Sequence, residues 1–265
     1  MHKPGALSHD NLSSKDLPQI AAALLDRLRV RSPRVHCITN AVAQNFTANA
    51  LLAAGCVPSM TLSPEEIAPF VARSHALLVN LGTFDRERRE ATEIAVKTAS
   101  QDNVPWVLDP VFVERSAPRA AFARELVALA PKVVRLNMAE FSALAECEPT
   151  RAVLVAYARD RKITVGLSGK TDLVTDGERV ATIANGHPLM AKVTAMGCAA
   201  SALIAACLAV EPDSFRATAA ALVMVGVAGE VAAAKAEGPG SFAVAIIDAL
   251  HNLDGPKLIE RAEVN

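Results

Sequence analysis

The stretch KVTAMGCAASALIAACLAV, residues 192–210, sets one glycine, Gly197, and one thiol, Cys198, where a short polar run enters a long alanine-rich apolar segment. The first N–H groups of a helix lack partners within it and carry partial positive charge, so a helix start is a ready anion site. The same field favours a thiolate over a thiol. Two readings stand open: Cys198 is a small packing residue, or it is a thiol placed to do chemistry beside an anionic group. Cys207, nine residues on, reads as packing alone.

Two further places carry charge where chemistry could use it. Asp109, in DPV, follows the apolar run WVL. It is either a turn residue ahead of a proline or a carboxylate facing a phosphate-bound Mg²⁺, an ion that takes one or two protein carboxylates beside phosphate and water oxygens. RLNMAE presents Arg135, Asn137 and Glu140. An asparagine with a glutamate three residues on forms a capping box at a helix start. The same spacing also lets Arg135 reach a phosphate and Glu140 face a hydrated metal, and the residues alone leave both open.

Other motifs fall away. GKT at 169–171 suggests a phosphate-binding P-loop, but the glycine this requires at position 164 is Thr164, and an alternating hairpin follows in place of a helix. No G-x-G-x-x-G occurs. His36 lies inside an apolar run and reads as a hydrogen-bonded core histidine, and His187 in NGHP reads as a loop residue.

These residues need elements to hold them. Short β-branched runs alternate with helical ones: RVHCIT, VPSMTL, ALLVNLG, PWVLDPV, KVVRLN and KITVGLSG read as strands. Between them, residues 40–55, 63–74, 86–101, 119–130, 139–146 and 151–161 read as helices. For 63–74, Ser63 is the expected cap and Pro64 the first helical residue. DLVTDGERVATIAN reads as a hairpin turning at Asp176-Gly177, and 197–210, 213–236 and 242–253 as helices. Such alternation argues an α/β fold around a mostly parallel sheet, whose ligands gather outside the carboxyl ends of the strands. That rule selects TNAV (39–42), NLG (80–82), DPV (109–111), RLNMAE (135–140) and LSGKT (167–171).

The bulk properties agree. The 265 residues are 51% hydrophobic with a net charge of −1, which gives no ground for expecting nucleic acid or an anionic membrane as partner. Five cysteines without a C-x-x-C pair point to a reducing cytoplasm and away from a disulfide framework or zinc ribbon. The apolar run 217–234 between Arg216 and Lys235 reads as a buried helix, not a membrane span. Residues 1–17 read as a polar arm, and 18–265 as one domain.

Together the junctions resemble the hydroxyethylthiazole kinase family. VHCITNAVAQNFTANALLAAGCVPSM, LDPV, VVRLNMAE, the Ser168-Gly169 pair, DLVTDGERV and NGHPLMAKVT with its following Gly-Cys occur in the family's order, over about residues 18–253. The resemblance implies a ribokinase-like three-layer α/β/α sandwich, commonly a homotrimer with active sites at subunit interfaces. It implies ATP-dependent phosphorylation of the hydroxyl of 4-methyl-5-(2-hydroxyethyl)thiazole, with Mg²⁺, in thiamine salvage. Carried over by position, Asn40, Val42, Met60 and Ala195 would lie against the thiazole. Arg135, Asn137, Ser168, Thr194 and Gly197 would bind ATP, Asp109 and Glu140 would serve the magnesium, and Cys198 would stand where related kinases carry a catalytic aspartate. Two other outcomes fit a ribokinase-like chain: an enzyme acting on a related heterocyclic alcohol, or a non-catalytic thiazole or nucleotide binder. The chain departs from the family pattern at Ala195-Met196, where glycine and a small residue are usual, so alanine is expected to restrict the backbone of the anion loop.

Overall fold

A computed structural model describes residues 16–265. The arm expected over 1–17 thus lies almost wholly outside the described residues; its last residue, Leu17, is buried at the start of a helix.

Eight strands form one sheet: β1 (Arg34–Ile38), β2 (Val57–Ser59), β3 (Ala76–Asn80), β4 (Trp106–Asp109), β5 (Val133–Asn137), β6 (Thr164–Ser168), β7 (Asp172–Thr175) and β8 (Val180–Ile183). Their order is β2-β1-β3-β4-β5-β6-β7-β8. The first six run parallel, and β7 and β8 add an antiparallel hairpin at one edge. The helices are α1 (Leu17–Arg31), α2 (Gln44–Ala53), α3 (Ile67–Ala72), α4 (Arg86–Gln101), α5 (Ala117–Ala128), α6 (Met138–Ala145), α7 (Arg151–Arg161), α8 (Met196–Leu208), α9 (Ser214–Ala233), α10 (Pro239–His251) and α11 (Gly255–Arg261).

The period of two along each strand divides the core into two layers. Val35, Cys37, Ala76, Leu78 and Val107 face a cluster built from α1, α2, α8, α9 and α10. Ile38, Leu77, Val79, Leu108 and Val134 face the opposite cluster, built from α3 to α7. A strand covered on both faces can be apolar throughout, as β3 is, so its polar residue appears only at its carboxyl end, as Asn80. The hairpin turns at Asp176-Gly177 as expected, with Gly177 at φ 95°.

Helix α9 is long and apolar enough to cross a membrane, but 83% of its apolar window is buried among the other helices. Its composition therefore serves the core. Other expectations need correction. Helix α3 begins at Ile67, not after Ser63; the Ser63 carbonyl accepts from the N–H groups of Glu66 and Ile67, and its side chain caps nothing. The first apolar anchor of that segment is Ile67, buried with Val71 one turn on, and the helix starts where burial starts. Strand β2 stops at Ser59, three residues short of the apolar run that suggested it. Helices α1 and α11 have no counterpart in the sequence reading.

Candidate active site

The carboxyl ends of β1, β3, β4, β5 and β6 deliver Asn40, Asn80, Asp109, Asn137 and Ser168 to one edge of the sheet. Parallel register sets Asn80 opposite Asp109 and Asn137 opposite Ser168. Helix α8 begins over this edge. Its N-cap, Ala195, holds φ 70° and ψ −2°, the left-handed conformation that restricts an alanine, and no side chain caps the helix. The N–H groups of the first turn are left for a ligand.

Successive residues of this turn face two different neighbourhoods. Cys198 Sγ lies 3.3 Å from Asn40 Nδ2 and 3.2 Å from Asn80 Nδ2. Asn80 Nδ2 also donates to Asp109 Oδ2 at 2.7 Å, and the Ser201 hydroxyl, one turn along α8 from Cys198, donates to the same oxygen at 2.9 Å. Gly82 permits the close approach of the β3 loop, since a Cβ there would stand 2.7 Å from Asn40 Nδ2. Gly197, by contrast, packs against the guanidinium of Arg135. Arg135, Ser168, Gly169, Lys170, Asn185 and Gly197 are among the residues lining a cavity of about 620 Å³ on this side. Arg135 forms no ion pair among the described residues, and its Nε is buried without a partner. An unpaired guanidinium at a helix start is suited to phosphate oxygens.

The electrostatics correct one expectation. Burial, then the adjacent Asp109 carboxylate, pushes the Cys198 thiol up to about 11; the amide donors and Arg135 offset this only in part. The thiol is therefore protonated at neutral pH, and the helix start does not make it a thiolate. Asp109 is itself raised to about 6 by burial, against the pull of Arg135.

The capping box is present: Asn137 Oδ1 accepts from Glu140 N at 2.9 Å, and Glu140 Oε2 accepts from Asn137 N at 2.9 Å. The other oxygen, Oε1, accepts from Phe112 N at 3.1 Å and ties the loop after β4 to α6. So the two readings of this motif coexist in part: Glu140 caps, and it also stands buried close enough to Asp109 to raise that carboxyl. Among the described residues, no three His, Cys, Asp or Glu side chains form a metal cage. The donor set, two buried carboxylates near an unpaired arginine, fits a magnesium that phosphate oxygens help to hold.

The remaining residues singled out in the sequence lie as follows. Met60 follows β2 and is half-buried; its neighbours Ser59 and Thr61 are both bonded to His36, through Nδ1 at 2.8 Å and Nε2 at 3.2 Å. His36 is thus the satisfied core histidine expected. Val42 is 69% exposed. Thr194 is exposed just before α8, and neither it nor Asn137 lines the cavity. Ser168 does, with its hydroxyl donating to the Leu136 carbonyl at 3.3 Å. His187 precedes a 3₁₀ turn at the cavity wall. Sequence reasoning selected NLG (80–82) as a strand end but gave Asn80 no role, and it did not single out Ser201. The signals were there: an asparagine ending an otherwise apolar strand, and a hydroxyl three residues after the thiol on one helix face.

The chain is similar over nearly its whole length to known kinases. The profile of the hydroxyethylthiazole kinase family matches residues 25–255. A probable hydroxyethylthiazole kinase of Agrobacterium fabrum is 43% identical over 253 residues, covering 95% of this chain and 98% of that protein. A hydroxyethylthiazole kinase of Klebsiella pneumoniae is 44% identical, over 88% of this chain and 96% of its own length. The solved structure of a hydroxyethylthiazole kinase protein from Pyrococcus horikoshii superposes with a TM-score of 0.89 at 35% identity, covering 93% of this chain and 98% of that one. A ribokinase-like superfamily protein of Enterococcus faecalis, 16% identical with a TM-score of 0.69, shares the fold, which is ribokinase-like.

Proposed function

The chain belongs to the hydroxyethylthiazole kinase family, and from that premise we propose that it transfers the γ-phosphoryl group of ATP to the hydroxyl of 4-methyl-5-(2-hydroxyethyl)thiazole, a thiamine salvage step. The observation that carries this reading is the first turn of α8, where Gly197 packs against an unpaired arginine at the wall of a cavity and Cys198 faces the amides of Asn40 and Asn80. One side suits a nucleotide and the other an acceptor alcohol, with uncapped N–H groups between them.

Phosphoryl transfer asks the protein for alignment and charge neutralisation rather than covalent chemistry. Arg135, Ser168, Gly197 and Thr194 take the phosphates, and the first N–H groups of α8 stabilise charge on the group in transit. Asn137 acts on the ATP side through its cap, which holds Arg135 and Glu140 at the junction of β5 and α6. The acceptor hydroxyl lies at Cys198, against Asn40, Val42, Met60 and Ala195. The Asn40 amide hydrogens are already bonded to Asn80 and Cys198, so Asn40 meets the heterocycle by packing. With its thiol protonated, Cys198 is a weak acceptor for the hydroxyl proton, which suits a slow enzyme. Asp109 and Glu140 would hold Mg²⁺ with the phosphates, and that ion would supply charge neutralisation.

Exposed Val42, Leu52, Val57 and Val244 form apolar surface around α2, β2 and α10. This supports self-association in which a neighbouring subunit covers the acceptor side, and the family resemblance implies that the assembly is a homotrimer. Five unpaired thiols, only Cys147 exposed, support a reducing cytoplasmic setting.

ADP release with hydroxyethylthiazole, compared with a panel of small alcohols, tests the reading. Thiazole-stimulated release well above the panel supports it, and release that thiazole does not stimulate contradicts it.

A further inference from the structure

The side chain at the centre of the cluster is Asn80. It is 1% exposed, and its carboxamide makes four contacts. Oδ1 accepts from Gly82 N and from Asn40 Nδ2, both at 3.0 Å. Nδ2 donates to Asp109 Oδ2 at 2.7 Å and to Cys198 Sγ at 3.2 Å. Its orientation is fixed by chemistry, because a backbone N–H can only donate and the atom facing Gly82 must be the oxygen. The same logic fixes Asn40, whose Oδ1 accepts from Ala43 N at 3.0 Å.

All four hydrogens of the two amides are therefore assigned: one passes between the amides, two go to the sulfur and one to Asp109. Only a side chain with two acceptor lone pairs and two donors on a short stem can fill the place of Asn80. Aspartate would keep the bonds from Gly82 and Asn40 but set a carboxylate against both Asp109 and the sulfur. Leucine would keep the branched shape, at a larger volume, and lose all four contacts.

We propose that Asn80 is a positioning residue for the transfer step, fixing the Cys198 sulfur relative to the Asp109 carboxylate through one amide. The inference rests on the kinase reading above. Asn80 does not line the nucleotide cavity and contacts the acceptor side only through Asn40 and Cys198. Its loss therefore acts chiefly on the rate after both substrates are bound, because it makes no hydrogen bond to Arg135, Ser168 or Gly197 on the phosphate side or to Val42 or Met60 on the acceptor side.

The test is steady-state kinetics of Asn80→Asp, nearly identical in volume, beside wild type. The expected result is a kcat lowered at least ~10-fold, with KM for ATP and for hydroxyethylthiazole each within ~3-fold of wild type. Asn80→Ser keeps one donor and an acceptor, is expected to fall between the two, and carries the test if Asn80→Asp does not fold. An unchanged kcat in whichever variant folds overturns the inference. So does a loss shared between kcat and both KM values, which is the mark of a merely structural residue. A wild-type chain without thiazole-dependent turnover overturns the kinase reading and this inference with it. An active wild type beside an unaffected variant overturns this inference alone.

Discussion

The guanidinium of Arg135 lies so close to the backbone of Gly197 that a Cβ at 197 would meet Nη1 at 2.7 Å. The glycine is required here by close approach, since its φ is not among the positive ones. The atom that would have to move is the end of a flexible side chain, so the fold can absorb a methyl group by swinging the guanidinium away from the helix start. Gly197→Ala is expected to leave thermal stability nearly unchanged and to raise KM for ATP by ~10-fold. That corresponds to the loss of one charged hydrogen bond, about 1.4 kcal/mol. KM for the thiazole should move little. Equal rises in both would contradict the division of the site at this turn.

Two residues earlier the opposite substitution is informative. Ala195 sits at φ 70°, where an L side chain crowds the following carbonyl at a cost of roughly 1–2 kcal/mol. Glycine removes this strain but adds freedom to the unfolded chain, worth roughly 0.5–1 kcal/mol. Ala195→Gly is expected to raise stability by up to ~1 kcal/mol, an increase in Tm of about 2–4 °C for a chain of this size. Thermal unfolding checks it; a lowered Tm would show that the alanine conformation costs nothing here.

His36 makes stability depend on pH. Burial lowers its pKa to about 4, against a backbone hydrogen bond to Thr61 that raises it. The unfolded chain takes up the proton near pH 6.5 and the folded chain only near 4, so the unfolded state binds more protons between these values. This contribution is present in full above pH 6.5 and is lost as pH falls towards 4, by roughly 3 kcal/mol at ~1.4 kcal/mol per pH unit. Denaturant unfolding of wild type and His36→Asn across pH 4–7 measures it: the variant should lose less stability on acidification. Parallel curves would exclude His36 as the source.

The sheet edge was legible in the sequence because a strand covered on both faces leaves its polar residue at the end. WVL ahead of Asp109 and VV ahead of Arg135 show this, and Asn80 after ALLV obeys the same rule. What the sequence could not show is where α8 comes to rest. Cys198 is 118 residues from Asn80 and 158 from Asn40, and their meeting depends on the packing of α8 across β1, β3 and β4. The ionisation of the thiol is hidden from the sequence for the same reason. A helix start is visible in sequence, but the buried carboxylate of Asp109 beside it is not. Similarly, Asn137 and Glu140 satisfied a spacing rule shared by a cap and a metal ligand, and only the fold shows the cap formed, with Phe112 as a further partner.

The account turns on Cys198 standing where the acceptor hydroxyl gives up its proton. The most direct test is the kcat of Cys198→Asp with ATP and hydroxyethylthiazole at neutral pH. The thiol, pushed up to about 11, is ionised in only about one molecule in 10⁴ at pH 7. A carboxylate at this place meets the same burial and the same Asp109 charge, but it starts from a far lower pKa than a thiol and is ionised far more often, as the neighbouring Asp109, raised only to about 6, illustrates. The variant is predicted to retain or exceed the wild-type kcat. Complete loss of turnover in a variant that folds as the wild type does would contradict the placement of the proton acceptor at this residue.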